Sequence, residues 1–293
     1  MVDSQAGKAP PRLDKGKARR SFDQAAAGYD AVAVLQHEIG RRVLERLSFM
    51  RVSPQRVVDL GCGTGLTTDA LLKLYPKSQL VALDFSMGML QQTRRRGRWL
   101  RRPRCLCADL DALPLASASC DLVFANAALQ WSSDPASVFR DIQRVLRPGG
   151  LVIFTSFGPD TLVELRTAWA EVDENPHVHG FIDMHDYGDM LMQAGFADPV
   201  MDVERMTLTY DDPVQLMREI RAIGATNATW KRHRGLLGRE RFAKACRAYE
   251  QFRDADGRLP ASYEVIHGHA WVPLQQSVGG ETRVSLDALR RRP

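Results

Sequence analysis

The chain of 293 residues lacks any long hydrophobic run. No stretch approaches the roughly 20 apolar residues that a helix needs to span a bilayer. The N-terminus also lacks the apolar core of a secretory signal, and Asp3 and Asp14 interrupt its basic residues, unlike in acid-poor transit peptides. The sequence therefore predicts a cytoplasmic protein with no membrane partner.

Cysteine is scarce and irregularly spaced. The five residues are Cys62, Cys105, Cys107, Cys120 and Cys246. Their odd number excludes a complete disulfide framework, and the C-x-C pair has no second pair with which to bind zinc. His267 and His269 are expected on one face of a strand at the sheet edge, and no acid–histidine set has ligand spacing. We therefore predict a reduced protein without a metal.

The positive charge is confined to the chain ends. The formal net charge is +5, but residues 1–20 carry six Lys or Arg against two Asp, and Arg290, Arg291 and Arg292 follow near the C-terminus. The body between them is near neutral, whereas nucleic-acid enzymes usually have a basic body. No nucleic-acid partner is expected.

Strand and helix patterns alternate through the first half of the chain. Strands are predicted at 55–60, 79–84, 104–107, 120–125, 149–155, 199–210 and 262–271. Helices are predicted from Ser21 onward, at about 39–49, and at 66–75, 86–95, 134–146, 160–172, 184–194, 213–222 and 239–254. This alternation is typical of an α/β fold with a mostly parallel sheet and helices on both faces.

The same pattern divides the chain into one domain with two tails. Residues 1–18 are predicted to be a disordered basic tail and residues 274–293 a loose C-terminal tail. Between them, 19–273 form one domain, with a helical cap at about 21–50 and lid helices at about 160–195 and 212–255.

A glycine-rich turn follows the first predicted strand. Gly61, Gly63 and Gly65 let the backbone approach a ligand closely. The G-x-G-x-G spacing differs from the dinucleotide and P-loop motifs, no lysine follows to hold a phosphate, and Asp59 suits a cationic ligand. The segment resembles motif I of the class I S-adenosylmethionine (SAM) methyltransferases. That resemblance implies a Rossmann-like seven-stranded fold and SAM as the cofactor.

Further cofactor residues are expected where the later strands end. Asp84 is placed to bind ribose hydroxyls, and Phe85 and Met87 could enclose the adenine. Asp109 could accept a hydrogen bond from the adenine amine while the backbone N–H of Leu110 meets a ring nitrogen. Asn126 is expected at the methionine end of the cofactor and Trp131 in the pocket wall. Structural roles for Asp84 and Asp109, as helix caps, and for Trp131, as a core residue, remain open.

Four more segments resemble the malonyl-acyl carrier protein O-methyltransferases of biotin synthesis. They are residues 21–30, 157–166, 181–189 and 263–271. The likeness extends over about residues 20–273 and does not include the tails. It implies methyl transfer from SAM to the free carboxylate of a malonyl thioester, which hides a charge and primes pimeloyl synthesis.

This chemistry needs a positioned carboxylate rather than a base, because the carboxylate is already ionised at neutral pH. Arg166 is the candidate cation, since a guanidinium can pair with both carboxylate oxygens. The resemblance implies that Tyr29 covers the pocket over cofactor and substrate and that Phe181 lines the substrate site. Arg166 as a surface residue and Phe181 as a loop anchor remain alternatives.

The expected partner is malonyl-loaded acyl carrier protein or malonyl-CoA. The basic residues of 94–102 and of 231–234 are two candidate docking patches for an acidic carrier. Other readings stay open: a methyltransferase of a quinone or lipid precursor, or a non-catalytic SAM-fold assembly subunit. An RNA methyltransferase is disfavoured by the near-neutral body and by the absence of N-P-P-Y or D-P-P-Y.

Overall fold

The computed structural model describes residues 13–97, 101–230, 235 and 238–274. One sheet contains its seven strands, β1 (Arg56–Leu60), β2 (Gln79–Asp84), β3 (Arg104–Cys107), β4 (Cys120–Ala125), β5 (Leu146–Phe157), β6 (Ala197–Tyr210) and β7 (Leu259–Trp271). Their order is β3-β2-β1-β4-β5-β7-β6, and only β7 runs antiparallel to its neighbours. The mostly parallel seven-stranded sheet is thus confirmed.

Ten α-helices surround the sheet in the described part of the chain. They are α1 (Lys15–Ala25), α2 (Tyr29–Val32), α3 (Val34–Ser48), α4 (Leu66–Leu74), α5 (Met87–Thr93), α6 (Pro135–Val145), α7 (Val163–Ala170), α8 (Met184–Gln193), α9 (Pro213–Ala222) and α10 (Arg239–Tyr249). Short 3-10 turns lie at Leu129–Trp131 and Glu250–Phe252. None of the helices that the structure describes is long and apolar enough to cross a bilayer.

Apolar residues pack against both faces of the sheet. Val138 and Phe139 of α6 lie in the core on one face, and Val43 of α3 and Leu71 of α4 lie in the core on the other. A third cluster joins α3 to the late helices α7, α9 and α10. Since burial of apolar area is the main stabilising contribution to folding, these clusters fix the strand ends that surround the site.

The N-terminal helix begins earlier than predicted. Residues 13–18 were expected to be disordered, but α1 starts at Lys15, and the Asp14 side chain accepts the backbone N–H of Lys17 at 2.9 Å. Leu13 also forms a β-bridge with Thr229. The expectation failed because polar capping and docking contacts, rather than an apolar stripe, hold this helical turn. Residues 1–12 of the predicted tail, and 275–293 of the other, lie outside the described residues.

The structure differs from two further predictions about local structure. The second N-terminal helix starts at Val34 rather than near Ile39. His267 and His269 do not lie at a sheet edge, because β7 is inserted between β5 and β6. His267 is therefore only 4% exposed.

Candidate active site

A cavity of about 450 Å³ opens at the carboxyl ends of β1, β2 and β4. The loops after these strands form its floor, and α1, α2 and α3 cover it. Eight of the predicted site residues line it: Tyr29, Gly61, Gly63, Asp84, Phe85, Leu110, Asn126 and Trp131. The topology thus gathers residues that are about 100 positions apart in sequence.

The glycine turn brings bare backbone to the cavity. Gly61 has φ +72°, and a Cβ there would lie 2.4 Å from the Cβ of Ala128. Gly63 has φ +55°, and a Cβ there would meet no atom within 4 Å, because this residue faces open space. Side chains at these positions would strain the turn or enter the ligand space. Gly65 precedes α4 and does not line the cavity.

Asp84 is fixed at the end of β2 by two backbone donors. One carboxylate oxygen accepts the N–H of Gly63 at 2.9 Å and the other the N–H of Ser86 at 2.8 Å. Burial raises the pKa of Asp84 to about 6, although these hydrogen bonds oppose the shift. Both oxygens keep acceptor capacity for the hydroxyls of a ribose.

Asp59 lies beneath the turn and does not line the cavity. Its Oδ2 accepts the hydroxyls of Thr68 at 2.5 Å and Thr67 at 3.3 Å, whereas its Oδ1 has no hydrogen-bond partner among the described residues. Burial raises the pKa of Asp59 to about 7. A bound cation would favour its ionised form, so the buried acid suits a positively charged ligand.

After β2, the methionine that lines the cavity differs from the predicted one. Met87 is 44% exposed and lies outside the lining, whereas Met89 is buried and lines it. Ser86 caps α5 by accepting the N–H of Met89, which turns Met87 outward. Phe85 and Leu110 line the cavity as expected.

Asp109 also lies outside the residues that line the cavity. It forms an ion pair with Lys15 of α1, which pairs with Asp111 as well. The Asp109 carboxylate therefore fixes the N-terminal helix to the loop that follows β3.

Asn126 and Trp131 line the cavity where β4 ends. The Asn126 amide donates to the carbonyl of Gln36 at 3.1 Å, and its oxygen accepts the Thr155 hydroxyl at 2.7 Å. It therefore ties β4 to α3 and β5. Trp131 packs edge to face on Phe22 with ring centroids 5.0 Å apart.

A smaller cavity of about 90 Å³ adjoins the first. The two share the lining residues Phe22, Tyr29, Gln36, Ala127 and Trp131. Phe181, His179 and Tyr263 line only the smaller one of the pair. Burial and the nearby charges of Asp84 and Asp30 raise the pKa of Tyr29, and burial lowers that of His179, so both are neutral near pH 7.

Arg166 lines neither cavity. Its guanidinium donates to the carbonyls of Pro159 at 2.8 Å and Thr161 at 3.0 Å. Leu162, which follows in the same turn, has φ +55° and lines the smaller cavity together with Thr161. The structure thus places Arg166 behind the turn that forms part of the cavity wall.

Three polar residues whose roles the sequence analysis missed, Lys15, Asp23 and Asp30, hold the N-terminal helices over the cavity. Beside the Lys15 ion pairs, Asp23 accepts the Ser86 hydroxyl at 2.6 Å and the Gly88 N–H at 2.8 Å. Asp30 accepts the Thr64 hydroxyl and pairs with Arg96. Lys15 lies 94 positions from Asp109, and the other partners are also distant in sequence, so no local pattern could have revealed these contacts.

Gly40 is a missed lining residue that did carry a signal. It lies within α3, where glycine is disfavoured, and a Cβ there would lie 2.8 Å from Thr67. An isolated glycine in a helical pattern often has such a packing reason. No group of His, Cys, Asp or Glu within the described ranges could hold a metal ion.

The lining fits SAM. The bare backbone at Gly63 leaves room for the ligand, Asp84 supplies acceptors for ribose hydroxyls, and Phe85, Met89 and Leu110 offer an apolar surface for adenine. The unpaired oxygen of Asp59 adds negative charge below the turn.

Comparison with known proteins supports this assignment. Residues 58–154 match the model of a family described as a methyltransferase domain. A malonyl-acyl-carrier protein O-methyltransferase from Halorhodospira halophila is 51% identical, with 96% of this chain and 97% of that protein covered.

Solved structures agree on the fold. A SAM-dependent methyltransferase from Thermotoga maritima aligns with a TM-score of 0.52 and 16% identity over 87% of this chain and 99% of the other. The 4+2 cyclase SpnF aligns with a TM-score of 0.58 and 19% identity over 92% and 100%. At this identity the likeness concerns the fold alone.

Proposed function

Because this chain belongs to the malonyl-acyl carrier protein O-methyltransferase family, we propose that it transfers the methyl group of SAM to the free carboxylate of a malonyl thioester. The carrier is acyl carrier protein, with malonyl-CoA as the alternative. The product is the malonyl methyl ester that primes pimeloyl synthesis for biotin. We place the reaction in the cytoplasm, where the free state of all five cysteines is stable.

The observation that carries the proposal is the small second cavity beside the cofactor cavity. Its volume of about 90 Å³ suits a short acyl unit. Five lining residues common to both cavities, Tyr29 among them, support the proposal, because a unit bound there would lie next to the cofactor. Aromatic side chains in its wall, such as Phe157, Phe181 and Tyr263, would help to exclude water from the reacting groups.

The reaction then requires orientation rather than proton removal. When bound, SAM supplies a methyl group on a positively charged sulfur as the electrophile. The malonyl carboxylate is ionised at neutral pH, attacks that carbon directly and needs no general base. Residues of the pocket have to hold the carboxylate in line with the methyl group and keep the site dry.

Tyr29 is our candidate for contact with the reacting groups. It lies on the wall common to both cavities, and its raised pKa keeps the hydroxyl protonated as a hydrogen-bond donor. Such a donor can orient a carboxylate without a full counter-charge, which would reduce the nucleophilicity of the oxygen. Phe181 contacts Phe157 with ring centroids 5.8 Å apart and would line the acyl site.

Arg166 takes a different part in this proposal from the direct carboxylate clamp expected from the sequence. Its two hydrogen bonds to the carbonyls of Pro159 and Thr161 support the turn that bounds the acyl site. We therefore assign it as a positioning residue that acts through this turn.

Product analysis tests the proposal. Purified enzyme with SAM should add one methylene unit to the intact mass of malonyl-acyl carrier protein. Acetyl-acyl carrier protein, which has no free carboxylate, should keep its mass. Equal gain on both, or gain on neither, would contradict carboxylate methylation.

A further inference from the structure

The smaller cavity of about 90 Å³ is called the acyl cavity from here on. Two helices that contribute to its wall, α1 and α9, have arginines on their outer surfaces. Arg20 lies on α1, and Arg218 and Arg221 lie on α9. All three are exposed. None of them forms an ion pair with another described residue, whereas most arginines near the cofactor cavity, such as Arg41 and Arg96, do.

These helices also contribute to the cavity wall. Phe22 of α1 and Ile220 of α9 line the acyl cavity, as do Ile223 and Ala225 just after α9. Arg20 and Arg218 lie two positions from Phe22 and Ile220, which places them on roughly the opposite side of their helices, and Arg221 lies on the flank of α9.

The chain after α9 joins the two surfaces. It runs antiparallel along α1, with the Ser21 and Thr226 hydroxyls 3.4 Å apart and the Asp14 N–H donating to the Ala228 carbonyl at 2.8 Å. A Cβ on Gly224 would lie 2.9 Å from the Ser21 carbonyl, so only glycine allows this close approach. The two helices that bear the three arginines are thus joined beside the acyl cavity.

The sequence analysis named two other candidate docking patches. The patch at 94–102 is less suited to docking, and the patch at 231–234 is not described by the structure. Within 94–102, Arg96 pairs with Asp30 and Arg101 donates to the carbonyl of Leu72 at 3.1 Å, so two of its cations are used internally. Residues 231–234 lie outside the described residues.

Resting on the proposed function, we propose that Arg20, Arg218 and Arg221 form the docking surface for acidic acyl carrier protein. Guanidinium groups pair with the carboxylates of such a partner and steer its approach. A carrier protein docked there would hold its malonyl group close to the acyl cavity. Contacts with the carrier would then make malonyl-acyl carrier protein bind more tightly than malonyl-CoA, which lacks the protein.

The test is the triple variant R20E/R218E/R221E, with R94E/R95E/R102E as a control of equal charge change. At low salt we expect the first variant to raise KM for malonyl-acyl carrier protein about tenfold. Its kcat, and both constants for malonyl-CoA, should stay within about twofold of the wild type. The control triple should behave as the wild type with both substrates.

Three outcomes would overturn the docking surface: an unchanged KM for the carrier substrate, an equal loss with malonyl-CoA, or a larger loss in the control triple. Binding of carrier protein without an acyl group, measured by titration, should weaken in the first triple only. This binding measurement needs no turnover. It therefore tests the docking surface even if the proposed reaction is wrong. Tighter binding of a single-stranded oligonucleotide than of carrier protein would assign the surface to nucleic acid instead.

Discussion

The ion pair between Asp30 and Arg96 joins the N-terminal cap to the other side of the cofactor cavity. Asp30 belongs to α2, and Arg96 follows α5. Arg96 also donates to the carbonyl of Thr64 at 3.1 Å, and Thr64 donates its hydroxyl to Asp30. These contacts hold α2 against the loop after β1, and we expect them to slow the departure of the cofactor.

Arg96→Met should therefore speed dissociation of the cofactor. The pair is partly exposed, with side-chain exposures of 28% and 43%, so we expect a cost of about 1 kcal/mol, or roughly a fivefold faster release. Stopped-flow measurement of S-adenosylhomocysteine release would check this. Lys73→Met, which breaks an exposed pair with Asp69 on α4, should leave the rate unchanged, and equal rates in all three proteins would refute a closing role for the pair.

Asp84→Asn should weaken SAM binding about 100-fold. The substitution keeps the size of the side chain but removes the charge that strengthens hydrogen bonds from two ribose hydroxyls, each worth about 1.5–3 kcal/mol. Calorimetric titration measures the loss, with the exposed Asp189→Asn on α8 as the control. An affinity within threefold of the wild type would exclude Asp84 from ribose binding.

The affinity for SAM should also depend on pH through Asp84, whose pKa burial raises to about 6. Hydroxyl donors need the ionised carboxylate, so wild-type affinity should be highest above pH 7 and fall as the pH drops through 6. Asp84→Asn should show a smaller slope. A wild-type affinity independent of pH between 5 and 8 would contradict this.

The same group affects the stability of the ligand-free protein in the opposite direction. Its folded pKa lies above the ordinary value of 3.8 that an aspartate has in the unfolded chain, so the folded state binds the proton more tightly. Ionisation of Asp84 thus destabilises the fold above pH 6, and this cost fades as the pH falls towards 4. Thermal unfolding should show the wild type becoming more stable relative to Asp84→Asn as the pH falls from 6 towards 4. A difference in stability between the two proteins that does not change with pH would argue against the raised pKa.

The ends of β1 and β2 could be predicted from sequence, because β1 is a buried apolar run followed directly by Gly61 and β2 ends in the acidic residue Asp84. Which side chains of helix α5 face the cavity could not be predicted in the same way. Whether Met87 or Met89 faces the adenine depends on Ser86 acting as the cap of α5, and the sequence analysis took the nearer methionine. The role of Lys15 was hidden for another reason, since its partner Asp109 lies 94 positions away.

Arg166 shows a limit of reasoning from chemistry alone. A carboxylate substrate suggested a guanidinium, and Arg166 was the arginine in a family-like segment. Its direction depends on the turn at residues 159–162, where Leu162 adopts φ +55° and turns the backbone carbonyls towards the guanidinium. No sequence pattern signals a left-handed leucine.

The substitution Arg166→Ala should show whether Arg166 supports the turn at residues 159–162 or binds the substrate carboxylate directly. Loss of two hydrogen bonds behind the turn should lower the free energy of unfolding by about 1–2 kcal/mol and raise KM for the malonyl substrate severalfold, with SAM affinity unchanged. A direct carboxylate clamp would instead cost kcat/KM at least about 100-fold without affecting stability. Denaturant unfolding and steady-state kinetics on the same protein decide between them.

The central claim is methyl transfer to the free carboxylate of a malonyl thioester. The most direct measurement offers SAM labelled in its methyl group with malonyl-acyl carrier protein, malonyl-CoA, acetyl-acyl carrier protein and bulk RNA in parallel. We predict label in the malonyl thioesters alone, and its loss on mild base hydrolysis, as expected of a methyl ester. Tight SAM binding with no label in either malonyl thioester, or label in RNA, would contradict the account.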